Sequence, residues 1–126
     1  MRAARGCGVV LLMIAALPAQ AGVVDIAWSA EGRFEHVVQV EPGRFVEVCG
    51  ALPAGQSVRW QFEAGRALDF NVHYHVGKEV AYPERRKGLR RAEGVLAVPA
   101  AQDYCWMWSN KSSNRARIDV RLQRQN

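Results

Sequence analysis

The chain has 126 residues, is 49% hydrophobic and 23% charged, and carries a formal net charge of +5. This balance excludes a disordered, charge-dominated polymer and suits one compact domain with its own core. The positive charge is too small to argue for nucleic-acid binding.

Arg2 and Arg5 open the chain, an apolar run follows over residues 8–17, and Ala19-Gln20-Ala21 supplies the small residues of a signal-peptidase site. Residues 1–21 therefore read as a secretory signal, with cleavage before Gly22. The apolar run is shorter than the roughly 20 residues a membrane span requires, and no second candidate follows. Removing 21 of the 126 residues leaves 105, read as a single domain over residues 22–126. With Arg2 and Arg5 gone, 15 basic residues face 12 acidic ones, a net +3. The expected location is periplasmic or secreted.

In chain order, residues 34–40 form a first strand, stopped by the turn composition Glu41-Pro42-Gly43-Arg44. Residues 45–49 follow, with Phe45 and Cys49 on one face and Val46 and Val48 on the other; residues 50–55, with Pro53, make a break. Val58, Trp60 and Phe62 alternate with Arg59, Gln61 and Glu63, the pattern of a half-buried strand. Ala64-Gly65-Arg66 then reads as a turn. The next run turns Leu68, Phe70, Val72, Tyr74 and Val76 inward, and Asp69, Asn71, His73 and His75 outward.

Gly77-Lys78 ends that strand. A long basic connection follows, with Val80 and Tyr82 as a short edge piece and Arg85, Arg86, Lys87, Arg90 and Arg91 in a loop. Leu96 and Val98 indicate another short strand. Over residues 104–108, Tyr104, Trp106 and Trp108 point inward and Cys105 and Met107 outward. The hydrophilic residues 109–114 turn the chain, and Ile118, Val120 and Leu122 alternate with polar neighbours to close it. Seven or eight short strands in about 105 residues predict an all-β domain, an antiparallel β-sandwich or jelly roll.

The order of Phe34-Glu35-His36-Val37-Val38-Gln39-Val40, Ser57-Val58-Arg59-Trp60-Gln61-Phe62, Asp69-Phe70-Asn71-Val72, and Asp103-Tyr104 through Trp108-Ser109-Asn110-Lys111-Ser112-Ser113, before a closing alternating strand, resembles the Golgi-dynamics (GOLD) domain. The resemblance implies a β-sandwich used for protein or lipid contacts, without catalytic residues. The chain departs from that pattern in its outward His-x-His and Cys-x-Met positions.

Those departures carry chemistry. If the two outward-facing strands are neighbours, His73, His75, Cys105 and Met107 converge, and imidazole, thiolate and thioether together favour copper, Cu(I) above all. Asn71 would orient an imidazole from outside the ligand set, and Tyr82 would cover the site. In an oxidising compartment Cys49 and Cys105 could instead form a disulfide, and the sequence leaves both fates open. The reading is thus an exported copper-binding protein for sequestration or delivery. The alternative is an interaction module without metal, docking a periplasmic protein or an anionic lipid headgroup through Arg85, Arg86, Lys87, Arg90 and Arg91. With no phosphate-binding glycine loop, nucleophile elbow or His-Glu-x-x-His, no enzyme is expected.

Overall fold

The computed structural model describes residues 22–125, together with residue 3 and residues 10–13. The export signal expected over residues 1–21 therefore falls largely outside the described residues. Among the described residues seven strands form in chain order: β1 (Gly22–Asp25), β2 (Arg33–Val40), β3 (Phe45–Leu52), β4 (Ser57–Val76), β5 (Glu79–Ala97), β6 (Gln102–Ser109) and β7 (Ala116–Gln125). The described domain is all-β, as its alternating pattern requires.

The strands make one hydrogen-bonded path, β1-β3-β6-β4-β7-β2, with β5 paired to β4. β1 runs parallel to β3, so the sheet is mixed. A division into a sandwich or jelly roll is not confirmed, and the reason lies in β4. Its first half, Ser57 to Ala64, pairs with β7, and its second half, Asp69 to His73, pairs with β6. β5 follows the opposite edge through both halves. One 20-residue strand thereby joins what would otherwise be two sheets.

Ala64-Gly65-Arg66 is not the turn its composition predicts. The strand passes through it with register shifts between Glu63 and Leu68 and again around Phe70 and Tyr74. Bulges of this kind bend a strand and increase its twist without reversing it. The basic stretch holding Arg85 to Arg91 is likewise not a loop but the middle of the 19-residue β5. An edge strand tolerates such a composition, because charged side chains, Pro83 and the positive φ of Gly88 (67°) all fit a ladder with one side open to solvent.

The bend folds the sheet's inner face onto itself. Trp60 and Phe62 from the first half of β4 meet Phe70 from the second half at ring-centroid distances of 5.0 and 4.8 Å. Trp108 of β6 closes the group, 5.5 Å from both Phe62 and Phe70. Such aromatic pairs contribute about 0.5–1.5 kcal/mol each beyond the area they bury. Val46, Val48, Val72, Trp106, Ile118 and Val120 complete a continuous buried core. The outer face is left polar, and the candidate site lies on it.

Candidate functional site

Pairing register decides which outward residues meet. His73 stands opposite Cys105 and Asn71 opposite Met107 across β4 and β6. Cys105 in turn faces Cys49, and Met107 faces Glu47, across β6 and β3. Two adjacent rows thus cross three strands on the outer face: Cys49-Cys105-His73 and Glu47-Met107-Asn71. The antiparallel pair brings the Cys49 and Cys105 Cα atoms to 4.2 Å, and the two sulfurs are joined in a disulfide.

His73 is the most enclosed polar side chain of this face, at 5% exposure. Its Nδ1 lies 2.7 Å from Asn71 Oδ1 and its Nε2 3.3 Å from Glu47 Oε1. A neutral imidazole donates one proton to one of these acceptors; the imidazolium would donate to both. Burial nevertheless holds the His73 pKa below the ordinary histidine value, because desolvation of the charged ring outweighs the pull of the Glu47 carboxylate, and the neighbouring His75 adds to the depression. His75 is exposed, with its ring edge-on to His73 at 5.3 Å.

β5 supplies the rest. The Tyr82 ring lies 6.0 Å from His73, and the Arg85 guanidinium stacks over Tyr82 at 4.7 Å. Arg86 lies toward the inner side, over the Trp60 ring at 5.9 Å and paired with Glu84 at 3.2 Å. Lys87, Arg90 and Arg91 are exposed along the same strand, with Arg91 in register with Glu63.

The structure therefore assembles His73, Cys105, Met107, Asn71 and Tyr82 on one face, with His75 at its margin. It does not give them the chemistry of a soft-metal site. The Glu47, His73 and Cys105 donor atoms lie within 4.8 Å of one another. Cys105, however, is a disulfide sulfur and offers no thiolate, the group on which the preference for Cu(I) rested.

Two residues escaped the reading of the sequence. Glu47 shares a face with Phe45 and Cys49 by simple alternation, so its signal was present. Asn110 is 1% exposed and organises the turn between β6 and β7. Its Nδ2 donates to Val40 O at 3.0 Å and Asn114 O at 2.7 Å, while its Oδ1 accepts from the Ser112 amide at 3.0 Å and hydroxyl at 2.7 Å. Only an asparagine within a polar run announced it. Asp69 is a third organiser of the site's margin. It accepts from the Gly88 amide at 3.1 Å and pairs with Lys111 at 2.8 Å. The Lys111 hydrogen bond is the largest influence holding the Asp69 carboxyl below its usual pKa.

No protein-family model and no curated protein sequence matches the chain. Solved structures do match. A PliG from Aeromonas hydrophila, a periplasmic inhibitor of g-type lysozyme, aligns with a TM-score of 0.67 at 15% identity, covering 82% of this chain and 96% of that one. The Salmonella Typhimurium PliG gives 0.56 at 13% identity over 82% and 99%. A mutant PliG from Escherichia coli gives 0.57 at 11% over 84% and 100%. The fold resembles that of the PliG inhibitors.

This likeness overturns two expectations. The GOLD resemblance rested on short alternating segments that many all-β chains share, and the three-dimensional match is to PliG proteins, with their curled sheet, instead. The copper-carrier reading gives way as well, and with it metal and lipid as partners: these three matching structures are inhibitors of g-type lysozyme, a protein target. All three neighbours are periplasmic proteins, in keeping with the export signal expected over residues 1–21.

Proposed function

We propose that this chain is a periplasmic, protein-binding inhibitor of a lysozyme-type glycan hydrolase, and not itself an enzyme. The observation that carries the reading is the extent of the likeness to the Aeromonas hydrophila inhibitor, which includes nearly the whole of that protein. The Cys49–Cys105 disulfide supports it, because such bridges persist in oxidising compartments, where an exported inhibitor would act.

The architecture suits occlusion of an enzyme cleft. An inhibitor performs no bond chemistry; it must present a fixed surface whose ordering cost is met before binding. A continuous sheet, a disulfide across its outer face and a β6–β7 turn fixed by Asn110 meet that requirement. The test is lysis of a peptidoglycan suspension by a g-type lysozyme, followed as loss of turbidity. Addition of the mature chain should slow lysis in proportion to its concentration. Unchanged lysis at a large molar excess over several g-type lysozymes would refute the proposal.

A further inference from the structure

We infer that the partner-binding surface is the outer face where β4 and β5 meet, centred on Tyr82 and Arg85, and that it takes an acidic protein surface. The inference rests on the inhibitor reading and gives it a location. Its occupant is the carboxylate-bearing rim of a glycan-hydrolase cleft.

Charge is the first argument. Residues 85–91 hold five cations and no acid, and residues 109–117 add Lys111, Arg115 and Arg117, again with no acid. The two segments adjoin through Asp69, which binds both Lys111 and the Gly88 amide. Arg66 joins them by donating from Nε to Arg115 O at 3.2 Å. Arg66, Arg85, Arg86, Lys87, Arg90, Lys111 and Arg115, seven of the 15 basic residues in 22–126, thus gather around one margin of the sheet. The outer face formed by β2, β7 and the first half of β4 differs, because there Arg121 stands opposite Glu35 and 4.0 Å from Asp119, and Arg91 stands opposite Glu63. That checkerboard largely balances itself. At the β5 margin Arg86 pairs with Glu84, Lys111 with Asp69 and Arg115 with Glu41, which leaves Arg85, Lys87 and Arg90 as the surplus that calls for an external anion.

Pre-organisation is the second argument. Residues that dominate interface energies are typically Trp, Tyr and Arg held in a defined geometry. Tyr82 is 44% exposed, and its ring is placed between Arg85 on one side and His73 on the other. His73 is itself fixed by Asn71 and Glu47. Val80, 38% exposed and opposite His75, extends the apolar part of the patch. A stacked tyrosine and arginine beside an exposed valine, flanked by unbalanced cations, combine an anchor with electrostatic steering.

The experiment uses the mature chain and an immobilised g-type lysozyme. Tyr82→Ala and Arg85→Glu should each weaken binding by at least about 30-fold, the scale of an interface anchor. Arg121→Glu, a charge change of equal size on the checkerboard face, should stay within about threefold, the ordinary variation of near-neutral contacts. Affinity of the unaltered chain should fall steeply with added salt. All three positions are exposed, and unchanged thermal midpoints will confirm that the variants fold. Wild-type affinity in both Tyr82→Ala and Arg85→Glu overturns this surface while leaving the inhibitor reading intact. Absence of lysozyme binding by the unaltered chain removes both. Capture by vesicles of phosphatidylcholine with 30% phosphatidylglycerol (about 30%, an ordinary anionic mixture), in place of the enzyme, likewise overturns the assignment.

Discussion

Removing the Cys49–Cys105 bridge is the sharpest test of the outer face as described. The cysteines are 56 residues apart in sequence, so reduction releases a long closed loop in the unfolded chain. The loop-entropy relation gives about 14 cal/mol/K for a loop of that length, or about 4 kcal/mol at 25 °C. For urea slopes of about 1–3 kcal/mol/M, the unfolding midpoint of Cys49→Ala/Cys105→Ala should fall by at least about 1.4 M, with the slope rising as the released loop expands the unfolded chain. Circular dichroism and tryptophan fluorescence should report the same transition, because Trp60, Trp106 and Trp108 share one buried core. Lysozyme binding by the variant, measured well below its midpoint, should persist, since the bridge supports the surface without belonging to it. A stability loss under about 1 kcal/mol would refute the reasoning, as it would mean that the closed loop does not constrain the unfolded chain in the way the relation requires.

Three further outcomes follow from single residues. A Cβ at Gly94 would lie 2.6 Å from a ring carbon of the buried Trp60, so Gly94→Ala should cost about 1–3 kcal/mol in urea unfolding and perturb the near-ultraviolet tryptophan signal. Asn110→Ala leaves the Val40 carbonyl and the Ser112 amide without their side-chain partner, while the Asn114 carbonyl keeps the Ser112 hydroxyl, and should cost more than about 2 kcal/mol by the same assay. His73 gives a pH dependence. Its pKa is lower folded than unfolded, so the unfolded chain binds more protons between that depressed value and about 6.5, and stability falls as pH drops through the window. His73→Gln keeps an amide able to bond Asn71 and Glu47 without titrating; stability measured from pH 7.5 to 4.5 (roughly the span around the ordinary histidine value) should lose that component, and an identical slope in the variant would contradict it.

Much of the outer face could be read directly. Period-two alternation placed Phe70, Val72, Trp106 and Trp108 inward, and the buried core contains all four. The same alternation put Asn71, His73, Cys105 and Met107 outward, where the β4–β6 register gathers them. Alternation says which side of a strand is buried but not which strand lies beside it. That is why the sequence alone left Cys49 and Cys105 undecided between a disulfide and a metal site, whereas their register across β3 and β6 joins them.

The remaining differences have local causes. Ala64-Gly65-Arg66 has the composition of a turn, yet a long strand flanked on both edges can absorb a glycine as a bend. The arginines from Arg85 to Arg91 look like a solvated loop because an edge strand needs little apolar surface. Its ladder to β4 supplies the structure that its side chains do not. β1 was not anticipated at all; four residues, Gly22–Asp25, gain their strand conformation from parallel pairing with β3. The GOLD resemblance drew on the Trp-x-Phe and aromatic segments, whose spacing records a buried strand face and not a particular topology.

The central claim is that this chain acts by occupying an enzyme. Calorimetric titration of the mature protein into a g-type lysozyme, with residual lytic activity sampled at each addition, tests it most directly. The account predicts saturable heat with activity vanishing at a fixed molar ratio, and an affinity that weakens as salt is raised. Flat heats and full activity at excess inhibitor would contradict it.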